Sequence, residues 1–251
     1  MRGSAKSLLV LLLFIFSEGC DDMENNEKQG LYKKHTVSRA TQRPELAGNW
    51  DGKVWSDVKA IELKEYMGEY PEHFPKTQAK LLYDDEFVYV IFRVEDRYVR
   101  AVAKSTNDNV FHDSCVEFFF TPGEDLSEGY FNIEVNCGGT MLFHHQITQG
   151  NDVADIVDSD RGNVKIYHSQ PRIVEPEITE PVTWVVEYCV PLDLLEKYAT
   201  VQRPGPGVTC RANLYKIASR TSHRHYLTWS LIDYPKPKFH LPQFFGTLEF
   251  K

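Results

Sequence analysis

The chain has 251 residues, with 28 Lys and Arg against 36 Asp and Glu, which gives a net charge of −8 at pH 7. This acidic balance argues against a nucleic-acid-binding protein, which normally carries a basic surplus. Hydrophobic residues at 42% and charged residues at 25% exclude wholesale disorder. Aromatic residues reach 13%, and 15 Gly and 13 Pro interrupt the chain often, so we expect many short strands rather than long helices.

Residues 1–20 have the pattern of a secretory signal. Arg2 and Lys6 precede an unbroken apolar run, Leu8 to Phe16, which is too short for a membrane-spanning helix of about 20 residues. The Gly-Cys pair that follows resembles the lipoprotein box of bacteria, in which the cysteine is lipidated. The resemblance therefore implies lipidation at Cys20 and attachment to a membrane through an N-terminal lipid.

The segment 21–40 begins with an acidic and polar stretch that is typical of a flexible, solvated tether. Acidic residues directly after a lipidated cysteine resemble the surface-export signal of outer-membrane lipoproteins. We therefore expect a lipoprotein of the outer membrane or cell surface. The alternative is ordinary signal-peptide cleavage, which would leave a free periplasmic protein.

From residue 41 to 251 the pattern predicts a single domain made of strands. Apolar and polar residues alternate from Val88 to Glu95, and an acidic turn at 84–86 connects this strand to 80–83 in a hairpin. The other predicted strands are 116–120, 131–137, 140–146, 164–167, 184–190, 210–218, 225–231 and 246–250. With one short helix predicted at 192–198, the fold class is an all-β antiparallel sandwich of about ten strands.

The four cysteines of this domain are predicted to be buried free thiols rather than two disulfides. Strand alternation places Cys115 on the face of Glu117, whereas Cys137 follows the apolar residues of its own strand, opposite Glu134. These two thiols would then project from opposite sides of the sheet. The argument leaves a pair between Cys189 and Cys210 open.

The sequence contains none of the common catalytic, nucleotide-binding or metal-binding motifs. The scattered histidines are expected at the surface: adjacent His144 and His145 should point to opposite faces, while His223 and His225 could share one. A glycosidase needs two carboxylates on either side of a sugar, and with 36 acidic residues the sequence cannot select a pair. We therefore expect no enzymatic activity and no cofactor.

Two aromatic residues stand in polar loops just before predicted strands, Phe111 before 115–120 and Phe239 before 246–250. Each could pack under its own loop as part of the core. Alternatively, each could present an exposed ring to a sugar, because the apolar C–H faces of pyranoses stack on aromatic rings.

Six segments in order resemble the family 9 carbohydrate-binding modules, over about residues 41–251. They are AKLLYDDEFVYVIFRVEDR, HDSCVEFFFTP, YFNIEVNCGGT, WVVEYCVPLDLL, CRANLYKI and FHLPQFFGTLEF. The opening NWDGKVWSD also resembles the first strand of that family. The resemblance implies an immunoglobulin-like β-sandwich that holds the terminal sugar of a glucan or xylan chain between two aromatic rings.

Carried over by motif, the two ring positions of the family fall on Phe111 and Phe239, where the family has tryptophan. The polar residues expected to contact the sugar are Glu117, Glu134, Arg211, Asn213, Lys236 and His240. Glu134 stands where the family has Arg, which reverses a charge, and Lys236 stands near a loop amide position. Some family members bind structural calcium, but no ligands for it can be assigned in this chain.

The resulting interpretation is a lipid-anchored, non-catalytic module that captures oligo- or polysaccharide chain ends for a glycan-degradation system, with degrading enzymes as possible partners. Three alternatives remain open. One is a structural or protein-interaction sandwich without a sugar site. Another is a glycoside hydrolase, a label that the family acquires by association with glycanases. The third is a haem-binding relative, which the scarcity of methionine (4 residues) disfavours.

Overall fold

A computed structural model describes residues 32–150, 153–156, 158–161 and 164–251, and within them nearly all of the regular secondary structure is β-strand. The signal segment 1–20, Cys20 and the first part of the expected tether lie outside the described residues. The strands are β1 (Lys34–Arg39), β2 (Ile61–Glu62), β3 (Glu65–Tyr66), β4 (Lys76–Tyr83), β5 (Phe87–Asp96), β6 (Val99–Ala101), β7 (Cys115–Phe120), β8 (Tyr130–Asn136), β9 (Met141–Gln146), β10 (Ala154–Asp155), β11 (Lys165–His168), β12 (Val174–Ile178), β13 (Val182–Pro191), β14 (Thr209–Ala218), β15 (His225–Thr228) and β16 (Gly246–Phe250).

The strands that the sequence predicts from 80–83 onward are present, with bounds that differ by a few residues, and the all-β sandwich is confirmed. The predicted short helix is α2 (Leu192–Leu195), and a second four-residue helix, α1 (Asp158–Arg161), lies in the loop-rich segment before β11. Within the described ranges, no helix is long and apolar enough to cross a membrane.

Within the described chain, two large sheets are joined by β1, and β6 pairs with β12 in a small third sheet. Sheet 1 has the order β10-β9-β8-β7-β14-β16-β1, with β15 beside β14 and β3 beside β15. Sheet 2 has the order β1-β4-β5-β13-β11, with β2 beside β4. The first half of β1 pairs with β16 and its last two residues pair with β4, in both cases in parallel. The sandwich is therefore not wholly antiparallel, and the expected flexible tether cannot extend to residue 40, because Lys34–Arg39 is a paired strand.

The main core lies between the two sheets and is filled by alternate residues of each strand. Val116, Phe118 and Phe120 of β7 and Phe131 of β8 point into it, together with Trp184 of β13. These positions follow from the two-residue period of a strand, which places successive side chains on opposite faces. At about 25 cal/mol per Å² of apolar surface removed from water, this core is the main stabilising contribution to the fold.

A buried polar cluster connects the sheets inside this core. The Nζ atom of Lys216, whose side chain is fully buried, lies 3.4 Å from a carboxylate oxygen of Asp96 and 2.7 Å from Nε2 of His225. Asp96 also accepts a hydrogen bond from Trp184 Nε1 at 3.1 Å and contacts His73 Nε2 at 2.7 Å. Burial alone would raise the pKa of Asp96, but the charge of Lys216 and these hydrogen bonds hold that pKa well below its ordinary value.

Two histidines expected at the surface are buried instead. His225 belongs to the polar cluster, where its ring contacts Lys216 and the His223 carbonyl oxygen, and burial lowers its pKa well below the ordinary value. His145 packs against the ring of Phe131, while its neighbour His144 contacts Asp155. The prediction that His144 and His145 point to opposite faces is confirmed.

The outer face of sheet 2 is covered by the segment before β2. The expected first strand at 49–57 is absent, because these residues form consecutive turns that place Trp50 and Trp55 against the sheet. Glu187 of β13 accepts hydrogen bonds from Gly48 N at 2.7 Å and from Trp55 Nε1 at 2.9 Å. The Nζ atom of Lys80 donates to the carbonyl oxygens of both tryptophans and lies over the Trp50 ring.

The four cysteines of the described chain are free and buried, as predicted. Cys115 packs on the outer face of sheet 1, whereas Cys137 belongs to the main core, so the two thiols lie on opposite sides of the sheet. Burial raises the pKa of each thiol, which keeps all four protonated and poorly nucleophilic.

Candidate functional site

The outer face of sheet 1 carries a pair of acidic residues. Glu117 of β7 and Glu134 of β8 are directly opposite each other in the antiparallel register. The next pair along the same face is Phe119 and Asn132, and Tyr215 of β14 lies on the other side of Glu117. Opposite residues in adjacent strands have Cβ atoms about 5 Å apart, so the two carboxyl groups are neighbours.

Both acidic side chains are buried, with exposed fractions of 2% for Glu117 and 4% for Glu134. Burial, together with the repulsion of Glu134, raises the pKa of Glu117 well above its ordinary value, although Lys216 opposes this shift. Burial raises the pKa of Glu134 to about 7, although the hydrogen bond that Asn132 Nδ2 donates at 3.1 Å opposes this shift. Both carboxyl groups therefore hold their protons more tightly than exposed glutamates do.

A hydrogen-bonded chain continues from Glu134 across the face. Gln146 Nε2 donates to Asn132 Oδ1 at 2.7 Å and lies 3.3 Å from Nδ1 of His240. The Tyr130 hydroxyl donates to the same Nδ1 atom at 2.8 Å. Burial lowers the pKa of His240 to about 4, so the ring is neutral and, with Nδ1 accepting, carries its proton on Nε2.

Phe239 lies inside the outer hydrophobic cluster rather than in an open position. Its ring stacks on Tyr215 with centroids 4.1 Å apart and an 8° angle between the planes, and only 6% of the residue is exposed. The Tyr215 hydroxyl donates to the Phe239 carbonyl oxygen at 3.1 Å, which fixes the loop on the sheet. The prediction of an exposed ring at Phe239 is therefore wrong, because the face of the Tyr215 ring covers it.

Phe111 occupies the edge of the same cluster and is half-buried. It lies in a short 3-10 turn, Val110–His112, that packs against β7, β8 and β14. The ring of His112 contacts that of Phe111 edge-on at 4.6 Å. Phe111 thus keeps part of its surface accessible at the edge of the outer hydrophobic cluster, whereas Phe239 does not.

Three other residues expected at the site have different surroundings. Arg211 donates to the carbonyl oxygens of Phe245 and Gly246 and lies over the ring of Tyr32. The Asn213 amide is bonded to both N and O of Ser230. Lys236 is exposed in the loop between β15 and β16.

The structure thus brings Phe111, Glu117, Glu134, Phe239 and His240 to one face, and it gives Arg211 and Asn213 structural hydrogen bonds. Sequence reasoning missed three residues of this face, which are Tyr130, Asn132 and Gln146. A signal was present for the first two, because they share the strand parity of Glu134.

Within the residues that the structure describes, no group of three or more His, Cys, Asp or Glu side chains could hold a metal ion. The arrangement suits a ligand with several hydroxyl or other donor groups, since Oε2 of Glu134 is buried without a hydrogen-bond partner among the described residues.

The family model for carbohydrate-binding family 9 matches residues 50–250. The chain belongs to carbohydrate-binding family 9. No match was found among curated proteins.

Solved structures of carbohydrate-binding proteins share this fold. A proposed carbohydrate-binding protein from Bacteroides uniformis ATCC 8492 has 26% identity and a TM-score of 0.75, with 88% of this chain and 100% of that chain covered. A family 9 module from Caldicellulosiruptor kristjanssonii in complex with glucose has 16% identity and a TM-score of 0.59, with 87% and 96% covered. The same organism's family 9 module in complex with cellotriose has 16% identity and a TM-score of 0.58, with 87% and 94% covered.

Proposed function

We propose that this family 9 domain binds the end of an oligo- or polysaccharide chain on the outer face of sheet 1, without catalysis. The observation that carries the proposal is the buried acidic pair, Glu117 and Glu134, which the described residues supply with a single hydrogen-bond donor. A buried polar group without a partner costs free energy, so its presence on a loop-covered face favours a ligand that supplies donors.

The aromatic rings of Phe111 and His112 favour a sugar over other ligands. Phe111 and His112 are half-buried rings at the edge of the outer hydrophobic cluster, and a pyranose can stack its C–H face on such a ring while its hydroxyl groups bond to polar side chains of the same face. His240 Nε2 adds one further donor at the same face. The two family 9 complexes with glucose and cellotriose make glucose-type sugars the first ligands to test.

A non-catalytic role fits the placement of the acids. A glycosidase holds its two carboxyl groups on either side of the scissile bond. Here both acids lie side by side on adjacent strands of one sheet and form a floor. Purified protein should release no reducing sugar from oligosaccharides; release that a Glu134→Gln variant lacks would contradict this part of the proposal.

The location and biological role extend this proposal. Lipidation at Cys20 would hold the domain at the outer membrane or cell surface, where it would present captured glycan to degrading enzymes. One aromatic contact and a few hydrogen bonds give an affinity of about 1 mM to several tens of μM, which is useful mainly at a surface where effective concentration is high. Palmitate labelling that survives in a Cys20→Ala variant would contradict the anchor.

The binding proposal is tested by isothermal titration calorimetry against glucose, cello- and xylo-oligosaccharides, followed by a broad glycan array. Phe111→Ala should weaken binding about tenfold. Phe87→Ala is a matched control, since Phe87 is a half-buried ring on the outer face of sheet 2. A folded protein that binds no sugar on the array, or an equal loss in both variants, would refute the proposal.

A second candidate function is supported by Phe239. Its burial under its own loop is what a sandwich without a sugar site would show, acting as a structural or protein-interaction module. The same titrations separate the two functions, because the structural module binds no sugar.

A further inference from the structure

The most exposed aromatic ring of the described chain, that of Tyr70, does not belong to the outer face of sheet 1. Tyr70 is 69% exposed, whereas Phe239 of the outer face is only 6% exposed. The Tyr70 ring contacts Tyr66 of β3, which is paired in register with Leu227, a residue of the main core. Directly opposite residues of an antiparallel pair project from the same face, so Tyr66 lies on the core side of sheet 1, at the sheet's edge.

Tyr66, Tyr70 and Phe74 contact one another and form an aromatic platform. The ring centroids of Tyr70 and Phe74 are 5.8 Å apart and the planes differ by 26°, so Phe74 supports one face of the Tyr70 ring. Tyr66 meets both rings edge-on, at 5.2 Å from Tyr70 and 6.5 Å from Phe74. Phe74 is half-buried against the main core. The other face of Tyr70 is left to the solvent, and neither tyrosine hydroxyl makes a hydrogen bond within the described chain.

The backbone on both sides of Tyr70 is anchored, so the ring is held in place before any ligand binds. Met67 N donates to the Tyr226 carbonyl oxygen at 2.9 Å, and Gly68 turns the chain with a φ of 77°, which suits glycine. Pro71, directly after Tyr70, is buried. A ligand that stacks on a ring held in this way orders few side chains, and its binding therefore loses little conformational entropy.

The exposure and the area of the platform indicate what it contacts. A ring that only sealed the edge of the core would be buried, as Phe74 largely is, and Tyr70 is not. With about 200 Å² for a whole aromatic side chain, the two tyrosines expose roughly 200 Å² together. A stable protein interface needs about 800 Å² from each partner, so this platform is too small for one. It is large enough for a contact with a small ring-shaped ligand.

The charges that flank Tyr70 are acidic. Glu69 and Glu72 are exposed on either side of it in the chain, and the Glu72 side chain is 90% exposed. Carboxylates accept hydrogen bonds from hydroxyl groups, but they repel anionic lipid headgroups and the carboxylates of acidic sugars. The lysines of the adjoining segments are neutralised by ion pairs, Lys33 with Glu65 and Lys64 with Glu62.

We propose that the aromatic platform is a second carbohydrate-binding site, which stacks on a sugar ring within a neutral polysaccharide chain. The free face of Tyr70 contacts the C–H groups of a pyranose, while the tyrosine hydroxyls and the flanking carboxylates bond to its hydroxyl groups. An exposed ring at the edge of the sheet lets the polymer continue in both directions, unlike the chain end proposed for the outer face. The two sites are separate, and together they would raise the avidity of the domain for a polymer.

Affinity electrophoresis in gels that contain a soluble β-glucan, xylan or mannan tests the platform, because a long polymer has many internal sugars for each chain end. Tyr70→Ala should weaken the binding of a retarding polymer about fivefold. Tyr70→Leu should do the same, since it keeps an apolar side chain without a ring, whereas Tyr70→Phe should change the affinity by about twofold or less. Ile173→Ala is the control, because it removes another exposed apolar side chain, and it should have no effect.

The acidic flank is tested with alginate, a polymer of uronic acids, which should not retard the wild type. The double variant Glu69→Gln/Glu72→Gln should be retarded by alginate because the repulsion is removed. Glu45→Gln removes the same charge from an exposed acid elsewhere in the chain, and it should not be retarded. Retardation of the wild type by alginate as strongly as by the neutral polymers overturns the assignment to neutral chains.

Titration with cellotriose separates this inference from the proposed function. Phe111→Ala should weaken the binding of cellotriose more than Tyr70→Ala does, and the retardation by polymers should show the reverse order. No retardation by any neutral polymer, or retardation that Tyr70→Ala or Tyr70→Leu leaves unchanged, overturns the inference and leaves the chain-end site standing. Retardation that depends on Tyr70, without binding of any oligosaccharide at the outer face, overturns the proposed function alone. A dimer in sedimentation velocity that Tyr70→Ala abolishes also overturns the inference, because the platform would then contact a second copy of the chain.

Discussion

Replacing Glu134 by Gln tests the charge state of the acidic pair, because the amide has the size of a protonated carboxyl group but carries no charge. Asn132 Nδ2 can still donate to the remaining oxygen of the side chain. We expect the Glu134→Gln variant to be more stable than the wild type at pH 8 and about equally stable at pH 4.

The magnitude follows from the pKa of Glu134, which is about 7 in the folded protein against 4.5 without burial. A group whose pKa is raised on folding binds its proton more tightly in the folded state, so it lowers the stability as pH rises from 4.5 to 7. The slope reaches about 1.4 kcal/mol per pH unit, and the full cost above pH 7 is about 3 kcal/mol. Loss of the Glu134 charge also removes one cause of the raised pKa of Glu117.

Urea denaturation from pH 4 to pH 8, followed by tryptophan fluorescence, measures this effect. The gain of the Glu134→Gln variant should grow with pH from near zero to about 3 kcal/mol at pH 8. The control Glu45→Gln should follow the wild type throughout. A variant that is less stable than the wild type at pH 8, or a gain independent of pH, would show that Glu134 is not a buried acid with a raised pKa.

Three further predictions concern the packing. Lys216→Met should lower the free energy of unfolding by about 3–5 kcal/mol, because it leaves the carboxylate of Asp96 buried without its cation; a loss below about 1 kcal/mol in urea denaturation would contradict the cluster. Phe239→Ala should cost about 3 kcal/mol in thermal unfolding through loss of the Tyr215 stack, whereas an exposed ring would cost almost nothing. In a Cys20→Ala background, a thiol reagent should react with no cysteine in the native state and with four after denaturation; early reaction of any of them would refute its burial. These four are Cys115, Cys137, Cys189 and Cys210.

The sequence was sufficient to predict most of the longer strands and their two faces, but not β1 or the short strands β2, β3, β6, β10 and β12. Alternation in β7 and β8 assigns Phe118 and Ile133 to the core and Glu117 and Glu134 to the outer face, because the two-residue period of a strand is local. The same argument separates Cys115 from Cys137. Neither conclusion needed the resemblance to family 9.

What the sequence could not supply depends on contacts between distant segments. Alternation places Lys216 on the core side. A lysine can be buried there because its charge is paired with Asp96, more than a hundred residues earlier, and alternation does not reveal that partner. Similarly, a ring in a polar loop can be open or covered, and the stack of Phe239 on Tyr215 depends on how the loop returns to the sheet. Residues 49–57 resemble a first strand in sequence. In the structure they form turns that place Trp50 and Trp55 on the outer face of sheet 2, a contact that the sequence does not reveal.

The position of β1 determines how the domain responds to a pull on its N-terminal end. The strand is inserted between β16 and β4, and its main-chain hydrogen bonds extend to the last residue, with Lys251 N bonded to Val37 O at 3.0 Å and Arg39 N to Lys251 O at 3.0 Å. A force that pulls the chain at Lys34 acts parallel to β1, β16 and β4. The hydrogen bonds of β1 are therefore sheared together and do not open one after another. Extraction of β1 would break its pairing with both β16 and β4 and so remove the strand that joins the two sheets.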